Sequence, residues 1–157
     1  MQVIEGNVQV VPGARFTLVA SHFNDLVVDS LIRGARGSLI AHGVADERIR
    51  LVRVPGAWEL PWACRRVAEI GGVDAIVALG AVVRGGTPHF DYVAGEAAKG
   101  IARVMYETGV ITTFGVLTTD TMEQALDRAG GKSGNKGADA ALTAIQLLSL
   151  NVALSKA

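Results

Sequence analysis

The sequence predicts an α/β fold in which helices cover both faces of a parallel sheet. Short runs rich in β-branched and aliphatic residues alternate along the chain with longer runs that have helical spacing. Each short run ends near Gly, Pro, Ser or Asn, which commonly form turns. Because this alternation produces βαβ units, a three-layer αβα arrangement is expected.

The runs predict four strands and five helices. The strands are expected at Phe16–Ala20, Ile49–Val54, Ala75–Leu79 and Thr112–Leu117. The helices are expected at Asp25–Ala41, Trp58–Ile70, His89–Glu107, Thr121–Arg128 and Ala138–Leu154. The third helix carries an apolar stripe made of Phe90, Val93, Ala97, Ile101, Val104 and Met105.

Residues 1–13 stand outside the alternating pattern and are predicted to form an N-terminal arm. Four valines in this segment suggest an extended chain, and Pro12-Gly13 separates it from the first strand. We expect the arm to add to the sheet edge of a neighbouring subunit. Residues 14–157 are predicted to form one domain, because no linker, repeat or low-complexity segment interrupts them.

The composition favours a globular chain with small-molecule partners. Half of the 157 residues are apolar, and 15 basic residues balance 15 acidic ones. The mean hydropathy of +0.34 is high for a soluble monomer and suggests surplus apolar surface. Since neither charge sign forms a block, the electrostatic pattern of a nucleic-acid-binding protein is missing.

The lone cysteine and the start of the chain point to the cytoplasm. Cys64 has no partner for an internal disulfide, and "MQVIEGNVQV" lacks the pattern of a secretion signal. No uninterrupted apolar run predicts a membrane span. The three histidines have no neighbours at metal-ligand spacing, so no metal site is expected.

The order of the strands determines where a ligand would bind. Of the two common doubly wound orders, the flavodoxin-like 2-1-3-4 suits a domain with four strands. In that order the first and third strands are neighbours at the topological switch point, where ligands bind beyond the carboxyl ends. Ser21–Asn24 and Gly80–Pro88 follow these strands. Phe23 is therefore expected to face the second of these loops across a crevice.

The turn after the third strand has the features of an anion site. Thr87 suits a helix N-cap and Pro88 the first helical position, while Gly85 and Gly86 leave the backbone amides accessible. An ordinary βα turn would also need glycine and a cap, so both interpretations stay open. His89 is a candidate for proton transfer because imidazole titrates near neutral pH.

Two further segments hold candidate binding residues. In "VPGAWELP", Ala57, Trp58 and Glu59 follow the second strand, and Glu59 either accepts ligand hydroxyl bonds or complements the start of its helix. "AGGKSGNKG" contains Gly-Lys-Ser, but Leu126 occupies the position of the first Walker glycine. It is interpreted as a basic loop, either solvated or directed at an anion. "GAVVRGG" likewise lacks the dinucleotide-binding spacing.

Taken together, the motifs resemble those of the lumazine synthase family. The resemblance rests on "SHFND", "VPGAWELP", "ALGAVVRGGTPHFDYV", "FGVLTTDTMEQALDRAG" and "KSGNKGADAA", in that order. It implies a condensation, without a cofactor, of 5-amino-6-(ribitylamino)uracil with 3,4-dihydroxy-2-butanone 4-phosphate. The products are 6,7-dimethyl-8-ribityllumazine, phosphate and water.

The resemblance also implies a role for each site residue. Phe23 stacks on the pyrimidine ring, Val82 and Val83 offer backbone groups to the uracil edge, and His89 moves protons. Phe114 from the adjacent subunit closes the pocket, and Lys136 lies near the polar edge of the pyrimidine. The ribityl chain is lined by Ala57, Trp58 and Glu59, and the phosphate is held by Gly86, Thr87 and Arg128.

The assembly that the resemblance implies is a pentamer, which in many family members closes into an icosahedral shell of 60 subunits; association with riboflavin synthase is also expected. Small residues on the third helix, among them Ala94, Gly95 and Ala98, allow close contacts between helices. A catalytically weak scaffold or a flavin-binding module of the same fold is the alternative. Arg84 has no assigned role and is expected to serve the turn or an interface.

Overall fold

A parallel sheet of four strands forms the centre of the computed structural model, which describes residues 1–157. The sheet has the order β2-β1-β3-β4. Its strands are β1 (Phe16–Ser21), β2 (Ile49–Val54), β3 (Ala75–Val83) and β4 (Ile111–Thr119). The main helices are α1 (Asp25–Ala41), α2 (Leu60–Ile70), α3 (His89–Thr108), α4 (Met122–Arg128) and α5 (Lys136–Leu154).

The predicted α/β class and strand order are confirmed. β1 lies between β2 and β3, with Phe16 opposite both Ile49 and Ala75. Successive residues of β1 point to opposite faces of the sheet, so Leu18 packs into the core under α1 and α5. Val19 packs into the second core, under α2 and α3. Both faces are therefore apolar, as a sheet between two helix layers requires.

The predicted ends of the third and fourth strands are wrong. β3 continues to Val83 instead of ending at Leu79, and β4 continues to Thr119 instead of Leu117. Gly80 suggested a turn, but it lies inside β3 opposite Val116. A Cβ at this position would lie 3.1 Å from a methyl carbon of Leu60, so a larger residue would need the Leu60 side chain to shift slightly.

Three helix starts differ from their predictions by one or two residues. α3 begins at His89, and Pro88 precedes it in an α-helical conformation, so Thr87 does not act as the side-chain cap. A short 3₁₀ turn, Ala57–Glu59, replaces the predicted first turn of α2. α5 begins at Lys136, because the Asn135 side chain accepts hydrogen bonds from the amides of residues 137 and 138.

The "AGGKSGNKG" segment contains a small antiparallel hairpin rather than only a loop. Its strands are β5 (Ala129–Gly131) and β6 (Gly134–Asn135), which connect α4 to α5. The hairpin is attached to α1 by Asn135, whose side-chain amide donates to the Ser30 carbonyl at 2.9 Å.

Residues 1–13 follow the surface of their own subunit without regular secondary structure. The Asn7 amide donates to the Ser149 hydroxyl on α5, and this hydroxyl donates to the Asn7 carbonyl at 3.0 Å. By length and composition α5 alone could cross a membrane. However, Ala141, Ala144 and Ile145 are buried against the rest of the fold, as in a core helix.

Candidate active site

A cavity of about 840 Å³ opens at the carboxyl ends of β1, β2 and β3. We call it the switch-point cavity because the strand order reverses there. Its lining comes from the loops after all three strands and from the first turns of α3. The lining residues are Phe23, Asn24, Pro55, Gly56, Ala57, Trp58, Glu59, Ala81, Val82, Val83, Gly85, Thr87, His89, Phe90, Tyr92 and Val93.

The loop after β1 presents an aromatic ring to this cavity. The Phe23 side chain is 71% exposed, while the Phe23 amide donates to the Pro55 carbonyl at 3.0 Å. Asn24 has a left-handed backbone with φ of 61°, and its side-chain amide donates to the Ala81 carbonyl at 2.8 Å. This bond ties the loop to β3, so the backbone is fixed while the ring stays free to stack on a ligand.

The loop after β2 contributes a carboxylate and a second aromatic ring. One oxygen of Glu59 accepts a hydrogen bond from the Gly56 amide at 2.9 Å. Both sequence interpretations of Glu59 are therefore compatible, because its other oxygen has no hydrogen-bond partner within the chain. Trp58 is 56% exposed, whereas Ala57 is buried.

The far end of β3 supplies backbone groups. Pairing between β1 and β3 ends at Leu79, although β3 continues to Val83 alongside β4. Past Leu79 this edge of β3 therefore has no strand partner, and apart from the Asn24 bond to the Ala81 carbonyl it is accessible from the cavity. Val82 and Val83 lie in this stretch, as strand residues rather than turn residues.

The turn between β3 and α3 presents unpaired amides. The N–H groups of Gly85, Gly86 and Thr87 make no hydrogen bond with another backbone group. They precede a helix of 20 residues, whose dipole places partial positive charge at this end. Thr87 lines the cavity and Gly86 lies beside it in the turn. An anion placed here would meet free donors on a positive helix end.

His89 and Arg84 flank this turn. His89 is exposed and lines the cavity from the first turn of α3. Arg84 pairs with Asp91 and Asp120, and hydrogen bonds from these two carboxylates raise the pKa of its guanidinium. The guanidinium carbon also lies 4.1 Å from the centre of the Phe90 ring.

Phe114 and Lys136 lie elsewhere, at a depression of about 560 Å³ between β4, α3 and α5. We call this the β4 depression. Phe114 is 45% exposed on the edge strand, and the Lys136 ammonium group pairs with Asp139 at 2.8 Å. Phe114 and Lys136 therefore do not meet the switch-point cavity within one chain.

Arg128 lines neither of these two surfaces. It ends α4, where its guanidinium donates to the Gln124 carbonyl at 3.0 Å. Within the hairpin Lys132 pairs with Asp127 at 3.1 Å. Lys132 is thus paired within its own chain. The other N–H groups of the Arg128 guanidinium have no hydrogen-bond partner within the chain.

Several cavity residues were not identified from the sequence. Phe90 and Val93 belong to the predicted apolar stripe of α3, and both are half-buried and line the cavity. Tyr92 and Asn24 also line it. Asn24 could have been identified from the sequence, because it lies in the loop after β1. The direction of the α3 side chains could not, because it depends on how that helix packs.

The lone cysteine is not a candidate nucleophile. Burial raises the pKa of the Cys64 thiol to about 12, so this cysteine stays protonated and unreactive near neutral pH. No cluster of three or more His, Cys, Asp or Glu side chains could hold a metal ion.

Comparison with known proteins gives a family for this fold and cavity. Residues 13–151 match the family model for 6,7-dimethyl-8-ribityllumazine synthase. The chain belongs to the 6,7-dimethyl-8-ribityllumazine synthase family. It is 55% identical over 150 residues to the 6,7-dimethyl-8-ribityllumazine synthase of Halorhodospira halophila, a match that covers 96% of each chain. Lumazine synthases bind small-molecule substrates and are oligomeric.

Proposed function

We propose that this chain catalyses the lumazine synthase condensation, the penultimate step of riboflavin biosynthesis. An amino-ribitylaminouracil reacts with 3,4-dihydroxy-2-butanone 4-phosphate to give 6,7-dimethyl-8-ribityllumazine, phosphate and water. One observation carries this proposal beyond family membership. The switch-point cavity has a free aromatic ring at one side and a turn of unpaired amides at a helix start on the other. These groups suit a flat heterocycle and a phosphate.

In this proposal the pyrimidine substrate binds against Phe23. A flat ring stacked on an exposed aromatic side chain removes apolar area of both from water. The open edge of β3 at Val82 and Val83 offers backbone groups to the uracil edge. The ribityl chain then extends along Ala57, Trp58 and Glu59, where the second carboxylate oxygen of Glu59 accepts a hydroxyl hydrogen bond.

The phosphate-bearing substrate binds at the turn before α3. Gly86 and Thr87 donate backbone hydrogen bonds, and Arg128 pairs with the phosphate from the other side. His89 then lies at the start of the same helix, where its imidazole moves protons during imine formation and phosphate elimination. Much of the rate enhancement comes from holding the two reactants together, an effect that reaches roughly 7–11 kcal/mol in favourable cases.

The complete site is formed between subunits. Phe114, Lys136 and Arg128 lie outside the switch-point cavity of their own chain, so in the proposed assembly they reach the cavity of the adjacent subunit. The assembly is a pentamer that closes into an icosahedral 60-mer, with residues 1–13 adding to a neighbouring sheet edge. Surplus apolar surface supports this, including exposed Trp62, Tyr92 and Tyr106. A cytoplasmic location and an association with riboflavin synthase complete the proposal.

Turnover by the assembled protein tests this function. Native mass measurement first establishes the assembly, and lumazine formation is then followed spectroscopically with both substrates present. The expected result is production of 6,7-dimethyl-8-ribityllumazine and release of one phosphate per product. Assembled protein that binds flavins or lumazines without turnover would instead support the scaffold or flavin-binding alternative.

A further inference from the structure

Arg84 joins three separate elements next to the switch-point cavity. Its Nε donates to Asp120 Oδ1 at 3.0 Å, in the segment between β4 and α4. Its Nη2 donates to Asp91 Oδ1 at 3.1 Å, in the first turn of α3. Its own amide donates to the Thr119 carbonyl at 2.8 Å, at the end of β4. The guanidinium also stacks on the Phe90 ring.

The chain between these attachments has little else to hold it. Gly85 and Gly86 have open space where a Cβ would lie, and helix α3 has no side-chain cap. The amides of the turn are unbonded. The contact from Arg84 to Asp91 spans the turn from one side to the other, and thereby closes a loop that includes Thr87 and His89.

Global stability does not explain this arrangement. The Arg84 side chain is 43% exposed, and its two carboxylate partners are 60% and 70% exposed. Exposed ion pairs contribute little to the free energy of unfolding, because solvent screens them and ordering long side chains costs entropy. A planar guanidinium that bonds two carboxylates and stacks on a ring does, however, restrict geometry strongly.

We propose that Arg84 is a positioning residue that holds the turn Gly85–Thr87 and the first turn of α3 in the arrangement needed for phosphate binding and proton transfer. The inference rests on the proposed function, since it assigns roles to Thr87 and His89 in that reaction. Arg84 does not touch the substrates. It acts through the backbone of the turn and through Phe90, whose ring also lines the cavity.

The kinetic test compares Arg84→Ala with a matched arginine. Arg36→Ala removes another exposed bidentate pair, with Asp46 at 2.8 Å, near the amino ends of the strands. For Arg84→Ala we expect a higher KM for the butanone phosphate and a lower kcat, together up to about 100-fold in kcat/KM, because misplacement by about 1 Å costs that much. The KM of the pyrimidine stays unchanged, and Arg36→Ala behaves as wild type.

Two further variants separate positioning from a general loss of structure. Arg84→Lys keeps the charge but loses the planar fork, so its kcat/KM is expected between those of wild type and Arg84→Ala. Asp120→Asn weakens the same clamp without changing the arginine. In the Arg84→Ala/Asp120→Asn double variant, the loss of kcat/KM expressed as free energy is expected to be smaller than the sum of the two single losses.

A crystal structure of Arg84→Ala provides the readout that is independent of turnover. We expect Gly85–His89 to shift or spread by about 1 Å relative to wild type while the sheet superimposes. An unchanged turn, or a displaced turn with unchanged kinetics, overturns the proposal. If the wild type itself does not turn over, the proposed function fails, and the position of the turn alone decides whether Arg84 holds it.

Discussion

The switch-point cavity and the β4 depression differ in how the fold builds them. The cavity collects three loops at the carboxyl ends of β1, β2 and β3; hydrogen bonds hold the first two, whereas the amides of the turn after β3 are unbonded. The β4 depression lies on the side of an edge strand and is formed by Phe114 together with residues from α3 and α5. The first surface holds candidate groups for both substrates, whereas the second holds one aromatic ring and one ammonium group.

This difference indicates how a site can be divided between subunits. A doubly wound fold places its own ligand site at the switch point. The edge strand β4 contributes no residue to that site in its own chain, but in a closed ring of subunits its exposed residues can cover the site of the neighbour. Substitutions at His89, Arg128 and Lys136 test whether one site draws residues from two subunits.

The largest single effect is expected for the only histidine in the switch-point cavity. Replacing His89 by alanine should lower kcat by about 100-fold, since general acid–base catalysis contributes at least that much, without abolishing turnover. His42→Ala is the control, because His42 only ends α1, with Nδ1 2.7 Å from the Ser38 carbonyl oxygen. Kinetics of His89→Ala that match wild type at every pH would remove His89 from the mechanism.

Arg128 tests whether the phosphate meets a group from outside the switch-point cavity of its own chain. Arg128→Ala should raise the KM of the butanone phosphate by about 10- to 100-fold, because a hydrogen bond to a charged group is worth about 1.5–3 kcal/mol. The KM of the pyrimidine should change far less. Equal increases for the two substrates, measured by steady-state kinetics, would show that the phosphate assignment is wrong.

A smaller effect is expected from the ammonium group of the β4 depression. Lys136→Met should raise the KM of the pyrimidine by about fivefold, the value of one ordinary hydrogen bond. Lys132→Met is the matched control, because Lys132 pairs with Asp127 and lies outside the depression. If both lysine variants raise the KM of the pyrimidine equally, the loss of one positive charge explains the increase, and Lys136 makes no specific contact with the pyrimidine ring.

The sequence predicted the class, the strand order and most strand positions because these depend on local patterns. Alternating runs identified the βαβ units, and four strands in one domain favoured the order that places β1 beside β3. The end of β3 was misjudged, since glycine signals a turn in isolation. Gly80 instead lies within the strand and close to the Leu60 side chain, a long-range contact that no local pattern shows.

Some residues of the candidate site were easier to predict from the sequence than others, again because local patterns do not show long-range contacts. Phe23 and Thr87 follow strands that meet at the switch point, so their approach to one cavity follows from topology alone. The separation of Phe114 from that cavity depends on the packing of α5 against β4 and was visible only through the family resemblance. The contacts of Arg84 with Asp91 and Asp120 join residues 7 and 36 positions apart, and no motif predicted them.

Complementation between two blocked variants tests the division of the site most directly. Thr87→Trp fills the switch-point cavity, and Arg128→Ala removes a phosphate-binding group that lies outside this cavity in its own chain, so activity is measured with the butanone phosphate below its KM. Each variant is assayed alone and after co-expression at equal levels, in assemblies verified by native mass measurement. If Thr87 and Arg128 of one site come from different subunits, about one site in four of a random mixture has both intact, and activity returns toward a quarter of the wild-type value. Activity that never exceeds the average of the two variants assayed alone would place both residues in the site of a single chain and contradict the account.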